Sequence, residues 1–399
     1  MDGGQQISGR AGVNQSGVRD HNERLLLSML RSLGPTPGSE LARLAGLSPQ
    51  TVSVILRKLE HDGILKRGDP IRGKVGKPSI PMDLNPDGVL SIGLRLGRRS
   101  SDLLLLDFAG NLRNQISINY PVPLPAEILT FVESGIETLV KDLSADARAR
   151  ICGIGVGRPF ELWKWHNASG SQAVAYQAWE HVDFAREIAA FSDLPVFVVN
   201  DASAACRAEH IYGRGAEFRD YAYFFIGSFI GGGVVLNGAV YEGNQGNAGA
   251  LGSLHSSGPL GESRQLIDVA SIHLLESRLI EAGLTPDALW SNPQDWSRIQ
   301  RYVEPWIGET AQELAKATLS ICSVIDFGAI LIDGAFPEAV REELVERVRR
   351  YLVNQDTRGL IPPRIETGSI GKNARAIGAA SSPIVSQFML HTNRGLAFS

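Results

Sequence analysis

Between residues 19 and 61 the apolar positions fall three and four apart, the spacing of helices that each bury one stripe. In RDHNERLLLSMLRSLG (19–34) the stripe is Leu26, Met29, Leu30 and Leu33. Pro35, Pro37 and Gly38 then mark a turn. A short second helix starts at Ser39, runs through Leu41, Leu44 and Ala45, and is broken by Gly46. A third (48–61) is capped by Ser48, with Pro49 at its first position, where a missing N–H costs nothing. Its buried stripe is Val52, Ile55, Leu56 and Leu59. Asp62-Gly63 ends it, and residues 64–67 read as a short strand. From Val89 the texture changes to short apolar runs alternating with helical spacings. Strands are expected at 89–97, 102–108 and 112–119, with Ala109-Gly110-Asn111 as a hairpin turn, then a helix at 128–143 and a buried strand at 151–157. A helix at 184–192 and a buried strand at 195–201 follow. Strands at 221–227 and 232–243, joined by a glycine-rich turn, begin a second such set. It continues with helices near 265–282 and 305–324, a strand at 329–334, a helix at 337–353, a strand near 364–369 and a closing helix at 374–386. A strand meander followed by helix–strand units, twice over, predicts an α/β fold of two lobes with a ligand cleft between them.

The head of the chain reads differently. A helix pair with a glycine turn, a short strand and the basic tip Arg72-Gly73-Lys74-Val75-Gly76-Lys77-Pro78 predict a winged helix-turn-helix over 19–84. The third helix leaves Gln50, Thr51, Ser53, Arg57 and Lys58 off its apolar stripe, for the base edges and phosphates of a major groove. In the tip, small residues allow close backbone approach, and Arg72, Lys74 and Lys77 attract phosphate. The same helices also fit a three-helix domain that binds a protein partner.

Charge supports the nucleic-acid reading modestly. Residues 1–82 carry 12 Lys+Arg against 7 Asp+Glu, whereas the rest carries 27 against 36. A basic head on an acidic body suits a protein that puts only its head on DNA. The three cysteines, Cys152, Cys206 and Cys322, are far apart, which argues against a metal site or a disulfide and for a reduced, cytoplasmic setting. The N-terminal text has no apolar core of a signal peptide, and no apolar run approaches the roughly 20 residues that span a bilayer. Residues 1–18 are expected to be a disordered arm.

The motifs SIGLRLG, GIGVGRPF, VVNDASAACRAE, IGSFIGGGVVLNGAVYEGNQGNAGALGS, IDGAF and GKNARAIGAA resemble the ROK family, a group of sugar kinases and sugar-responsive repressors. The resemblance covers residues 20–399 and implies an actin-like (ribonuclease H-like) two-lobed sugar-kinase fold behind the winged head. It places the body at 88–399, with a first lobe of about 88–205 plus the C-terminal helix and a second of about 206–372.

The departures from the kinase pattern are informative, because phosphoryl transfer needs metal and backbone donors on the phosphates and a base on the attacking hydroxyl. Where the kinases carry an Asp in the first phosphate loop, this chain has Arg95, and bulky Arg98-Arg99 replace a small Gly-Thr pair. An arginine cannot hold Mg²⁺ by a carboxylate; exposed arginines on a strand-turn-strand are the plain expectation. Phe229 stands in the second phosphate loop, where backbone would approach the nucleotide, and the following glycines suit a tight turn. The sugar-contacting Glu and zinc-binding His of the kinases align with Ala250 and Ser253, and no cysteine loop follows, so no metal is expected. Asn200-Asp201 survives. The resemblance makes Asp201 a vestigial general base and both side chains sugar contacts, while Asp201 as a helix cap is the alternative. Pro159-Phe160-Glu161-Leu162-Trp163-Lys164-Trp165-His166 follows a strand end where α/β ligand sites lie, so its aromatics stack on a sugar, cover an apolar lobe junction or form a dimer contact.

The reading is a sugar-responsive DNA-binding regulator of repressor type, not an enzyme, with no cofactor. Its expected partners are operator DNA and a sugar or sugar derivative on Asn200, Asp201, Glu161, Trp163 and Asn247. A homodimer or tetramer is expected, with no membrane association. The alternative is an active ATP-dependent sugar kinase with a fused head.

Overall fold

A computed structural model describes residues 15–70, 80–164, 171–257, 262–291 and 293–390. The chain divides into two compact units. One holds the residues through Leu84 together with the segment from Val385; the other is Asn85–Ile384.

The first unit contains α1 (Gln15–Leu33), β1 (Thr36–Pro37), α2 (Gly38–Ala45), α3 (Pro49–His61), β2 (Leu65–Arg67) and β3 (Pro81–Leu84). Helix α1 begins inside the segment expected to be an unstructured arm, so that expectation is corrected from Gln15 onward. Gly46, at φ 64°, closes α2 in the left-handed conformation a side chain resists. Ser48 caps α3 by accepting the Thr51 N–H. Val52, Ile55, Leu56 and Leu59 are buried with Leu26, Met29, Leu30 and Leu41. Each such burial contributes about 1.5–3 kcal/mol, which is what holds short helices that would fray alone. The strands pair in the order β1-β3-β2, so β2 and β3 form the antiparallel base of a wing. Beyond Phe388, Ser28 Oγ accepts the Leu390 N–H at 3.0 Å.

The second unit has two five-stranded sheets of the same design. The first runs β4 (Leu90–Leu96), β5 (Ser100–Asp107), β6 (Leu112–Asn119), α4 (Pro125–Val140), α5 (Ala145–Arg148), β7 (Ile151–Arg158), α6 (Ser171–Gln177), α7 (Phe184–Ile188) and β8 (Val196–Asn200). Its spatial order is β6-β5-β4-β7-β8: an antiparallel meander, then two parallel additions. After α8 (Asp201–Tyr212) come β9 (Tyr221–Ile226), β10 (Ile230–Leu236), β11 (Ala239–Tyr241), the small hairpin β12 (His255–Ser257) and β13 (Ser263–Gln265), then α9 (Ile272–Glu281), α10 (Gln300–Cys322), β14 (Ala329–Gly334), α11 (Glu338–Val353) and β15 (Arg364–Thr367). The second sheet is β11-β10-β9-β14-β15, again a meander plus two parallel strands. The chain ends its regular structure in α12 (Ala374–Phe388).

Glycine lets helices and strands meet between the sheets. A Cβ on Gly155 of β7 would fall 1.7 Å from the Ala379 carbonyl of α12, and one on Gly378 would fall 1.7 Å from the Ala204 carbonyl of α8. A Cβ on Gly233 of β10 would meet Cys206 of α8 at 2.5 Å. This revises the reading of the second glycine run. Gly231, Gly232 and Gly233 lie within β10, and Gly231 and Gly233 are small because α8 rests on them; the turn itself is 227–229. The strand expected at 232–243 is a hairpin, broken by Asn237 (φ 54°) and Gly238 (φ 69°), the left-handed pair of a tight turn. The helix expected at 184–192 stops at Ile188, and that near 265–282 starts only at Ile272.

Candidate functional site

On the head, the exposed face of α3 carries Gln50, Thr51, Ser53, Val54 and Arg57. Arg57 Nε bonds the Ser53 carbonyl at 3.1 Å, leaving the rest of the guanidinium at the surface. Thr51 shares its hydroxyl with Ser48 at 2.8 Å. The Lys58 side chain, 40% exposed, is also tied to α1: its ammonium lies 2.8 Å from both Glu23 oxygens. Sequence reasoning passed over Val54, which is 48% exposed. An exposed apolar residue amid polar ones suits a thymine methyl, and the signal was its place between Ser53 and the buried Ile55. Arg72, Lys74 and Lys77 lie outside the described residues.

On the body, a cleft of about 1420 Å³ opens at the C-terminal ends of β4, β7 and β8 and faces the β9–β10 turn. Asn200, Asp201, Glu161 and Asn247 all line it. Asn200 caps α8, its Oδ1 accepting the Ala202 and Ser203 N–H groups at 3.0 Å, so the cap is Asn200 and not Asp201. The Asn200 side-chain amide also reaches Asn247 Oδ1 at 3.5 Å. Asp201, at the first helical position, receives Arg375 Nη1 from α12 at 3.1 Å. Arg375 lies over the Phe225 ring at 4.9 Å. Burial and the nearby Arg95 cation draw the Arg375 pKa down, against the pull of Asp201.

Arg95 is not the exposed arginine expected. It is 8% accessible, donates from Nε to Asp102 Oδ2 at 2.5 Å and from Nη2 to the Ser100 hydroxyl at 2.6 Å. Burial pushes the Asp102 carboxyl up, but Arg95, the Ser117 hydroxyl and Arg375 outweigh it and hold the carboxyl below its usual range. Arg98 lies 5.1 Å over the Phe229 ring, and the His273 ring lies 4.9 Å from it, tilted. Burial keeps His273 below the usual imidazole pKa. Phe229 is thus packed against Arg98 and His273 in the β9–β10 turn. Arg99 reaches Glu276 at 3.1 Å.

The segment after β7 contributes less than its composition suggested. Trp163 is not among the cleft-lining residues; its ring packs under Arg158 at 5.6 Å. Trp165 and His166 lie outside the described residues. Phe160, 41% exposed, does line the cleft. Glu161 has φ 45°, a left-handed conformation that costs a non-glycine residue about 1 kcal/mol, and its carboxylate takes Lys164 at 2.6 Å. Ala250 and Ser253 face the cleft with short side chains where the kinase pattern has its Glu and His. No group of three or more His, Cys, Asp or Glu fit to hold a metal occurs among the described residues. Sequence reasoning missed Arg375, Lys372, Gln115 and Trp290 as lining residues, because they come from elements remote in the chain.

Comparisons bear on both sites. The ROK family model matches residues 91–262, and the MarR family model matches 21–69. An uncharacterized protein of Sinorhizobium fredii is 24% identical over 374 residues, 92% of this chain and 91% of that one. The xylose repressor of Caldicellulosiruptor bescii is 24% identical over 241 residues. That alignment covers 60% of this chain, which spans 59% of the repressor's length. A crystal structure titled as a ROK family transcriptional regulator, homologue of the Escherichia coli MLC protein, superposes with a TM-score of 0.65 at 20% identity, over 95% of this chain and 98% of that one. No helix among the described residues is long and apolar enough to cross a membrane.

Proposed function

We propose, from the premise that this chain belongs to the ROK family and carries a winged helix-turn-helix head, that it is a transcription regulator of repressor type whose body binds a carbohydrate or carbohydrate derivative without phosphorylating it. The observation that carries the non-enzymatic part is Arg375 on Asp201 at 3.1 Å. A general base must have its carboxylate free to take the proton of a substrate hydroxyl; here one Asp201 oxygen is held by a guanidinium in a charge-assisted contact, which leaves the other to accept a hydroxyl as a binding contact. Arg95 and Phe229 add to this, one removing the acidic metal position and the other filling the phosphate loop.

The head supports the output side. Gln50, Ser53, Val54 and Arg57 form a surface for base edges, and the sequence of the tip, with Arg72, Lys74 and Lys77, offers charge for phosphate. One such head contacts few base pairs, so tight operator binding calls for a symmetric oligomer that reads two half-sites. The similar protein of Caldicellulosiruptor bescii is named a xylose repressor, which supports a regulatory reading. A ligand that binds the body more tightly in one DNA-affinity state shifts operator binding by that differential affinity.

An active kinase with a fused head is the second reading, favoured by the presence of Asp201. An ATP-coupled assay over hexoses, pentoses and amino sugars separates the two. No turnover above background is expected; turnover abolished by Asp201→Asn would replace the regulator reading with the kinase one. For the head, selection of duplexes from a random pool by the full-length chain is expected to enrich a site with two related half-sites. Recovery of no preferred sequence would count against the DNA reading.

A further inference from the structure

We infer that the cleft takes an anionic polyol, a sugar phosphate or a sugar acid, with its oxyanion group on the guanidinium pair Arg95 and Arg375 and its hydroxyls toward Asn200, Asp201 and Asn247. The inference rests on the reading of the cleft as a sensor and adds the charge of what it senses.

Three observations carry it. First, the body is acidic, with 27 Lys+Arg against 36 Asp+Glu over residues 83–399, yet its cleft is lined by six Lys and Arg side chains against four carboxylates. A local reversal of sign in a concave site concentrates a ligand of the opposite charge. Second, Arg95 and Arg375 come from opposite ends of the body's sequence and both line the cleft, near enough for the Arg95 cation to act on Arg375, while the side chains retain only 9% and 12% exposure. Two cations brought together out of water repel each other more strongly than at a surface. Asp102 and Asp201 each pair with one of them, which offsets the repulsion without supplying an excess of negative charge. Third, Arg375 Nε is buried and has no hydrogen-bond partner. A charged donor left unsatisfied costs a folded protein free energy; the atom is closed to solvent, so a turn of the guanidinium onto a bound oxyanion would supply the missing acceptor. Guanidinium groups present paired N–H donors that match phosphate and carboxylate oxygens alike.

The rest of the cleft suits hydroxyls. Asn200, Asn247 and Gln115 offer donors and acceptors, and Trp290 and Phe160 offer apolar faces for a sugar ring. Phe229, in contact with Arg98 and His273, places an aromatic ring in the β9–β10 turn that lines the cleft.

Isothermal titration of the full-length chain tests this. The probes are hexoses, pentoses and amino sugars, each as the neutral sugar, the terminal phosphate ester and the uronic or aldonic acid. At least one charged form is expected to bind about 100-fold more tightly than its neutral parent. Its affinity is expected to fall as NaCl rises from about 50 to about 500 mM, with little change for neutral sugars. Comparison of the ester and acid arms assigns the oxyanion. Arg375→Gln and Arg95→Gln are each expected to abolish the preference for charge; the salt dependence of the wild-type chain tests the same point without a variant. A neutral sugar that binds as tightly as its charged forms would overturn the anion proposal and leave the sensor reading standing. Failure of every probe, neutral and charged, would count against both.

Discussion

Arg57, Val54 and Lys58 lie within five residues of one helix, yet their surroundings assign them different work. Arg57 and Val54 face solvent, whereas Lys58 is paired with Glu23 of α1. Arg57→Ala is expected to weaken operator binding by about 1–3 kcal/mol and to reduce the salt slope by about one unit if the contact is to phosphate. Lys58→Ala is expected to leave operator affinity within about twofold and to cost at most about 1 kcal/mol of stability. Fluorescence anisotropy on a selected operator and thermal melts distinguish the two; a larger loss of DNA affinity from Lys58→Ala would reverse the assignment. In the cleft, Asp102 titrates below its ordinary value because Arg95 and Ser117 outweigh burial. A depressed carboxyl pKa contributes stability that is fully present above the unfolded value of about 4 and is lost as pH falls through the folded value. Arg95→Met removes the main support, so the gap in melting temperature between wild type and variant should be widest at pH 5–7 and narrow below about pH 4. A gap that widens on acidification would contradict the charge account of this pair.

At the scale of elements, contacts made by absent atoms decide the packing of α8 and α12. Gly378→Ala would drive a methyl group into the Ala204 carbonyl, and relief requires α8 and α12 to separate. A loss of more than about 2 kcal/mol is expected by chemical denaturation, whereas Gly283→Ala, at a helix end with open space around it, is expected to cost only the strain of its φ 73°. Comparable losses for the two would show that the close crossing is not what Gly378 serves. These elements differ in how far periodicity reveals them. The helices of the head and most of the body's strands follow from apolar spacing, since each buries a stripe or a run such as Val52-Ile55-Leu56-Leu59 or 221–226. The Asn237-Gly238 turn was readable in principle and was overlooked inside an apolar stretch. What spacing does not show is which remote elements share a cleft. Arg375 and Asp201 are 174 positions apart, and nothing local to either predicts their contact. The same blindness put Trp163 in the cleft and hid the Lys58 ion pair: both are amphipathic side chains whose partners, Arg158 and Glu23, appear only in three dimensions.

At the scale of the whole molecule, the body supplies an input and the head an output, and the account stands on their coupling. Among the described residues the chain passes between the two units after Leu84 and within α12 after Ile384, so a ligand that changes the order of Arg375 acts on an element covalently continuous with the first unit. Coupling between two ligands on one protein typically amounts to about 1–3 kcal/mol. The decisive measurement is operator affinity by anisotropy, with and without a saturating concentration of the tightest-binding probe from the titration panel, for the wild-type chain and for Asp201→Asn. The wild-type affinity is expected to change by about tenfold or more, and the change is expected to disappear in the variant. A ligand that occupies the wild-type cleft, as heat of binding shows, and leaves operator affinity unchanged would contradict the account.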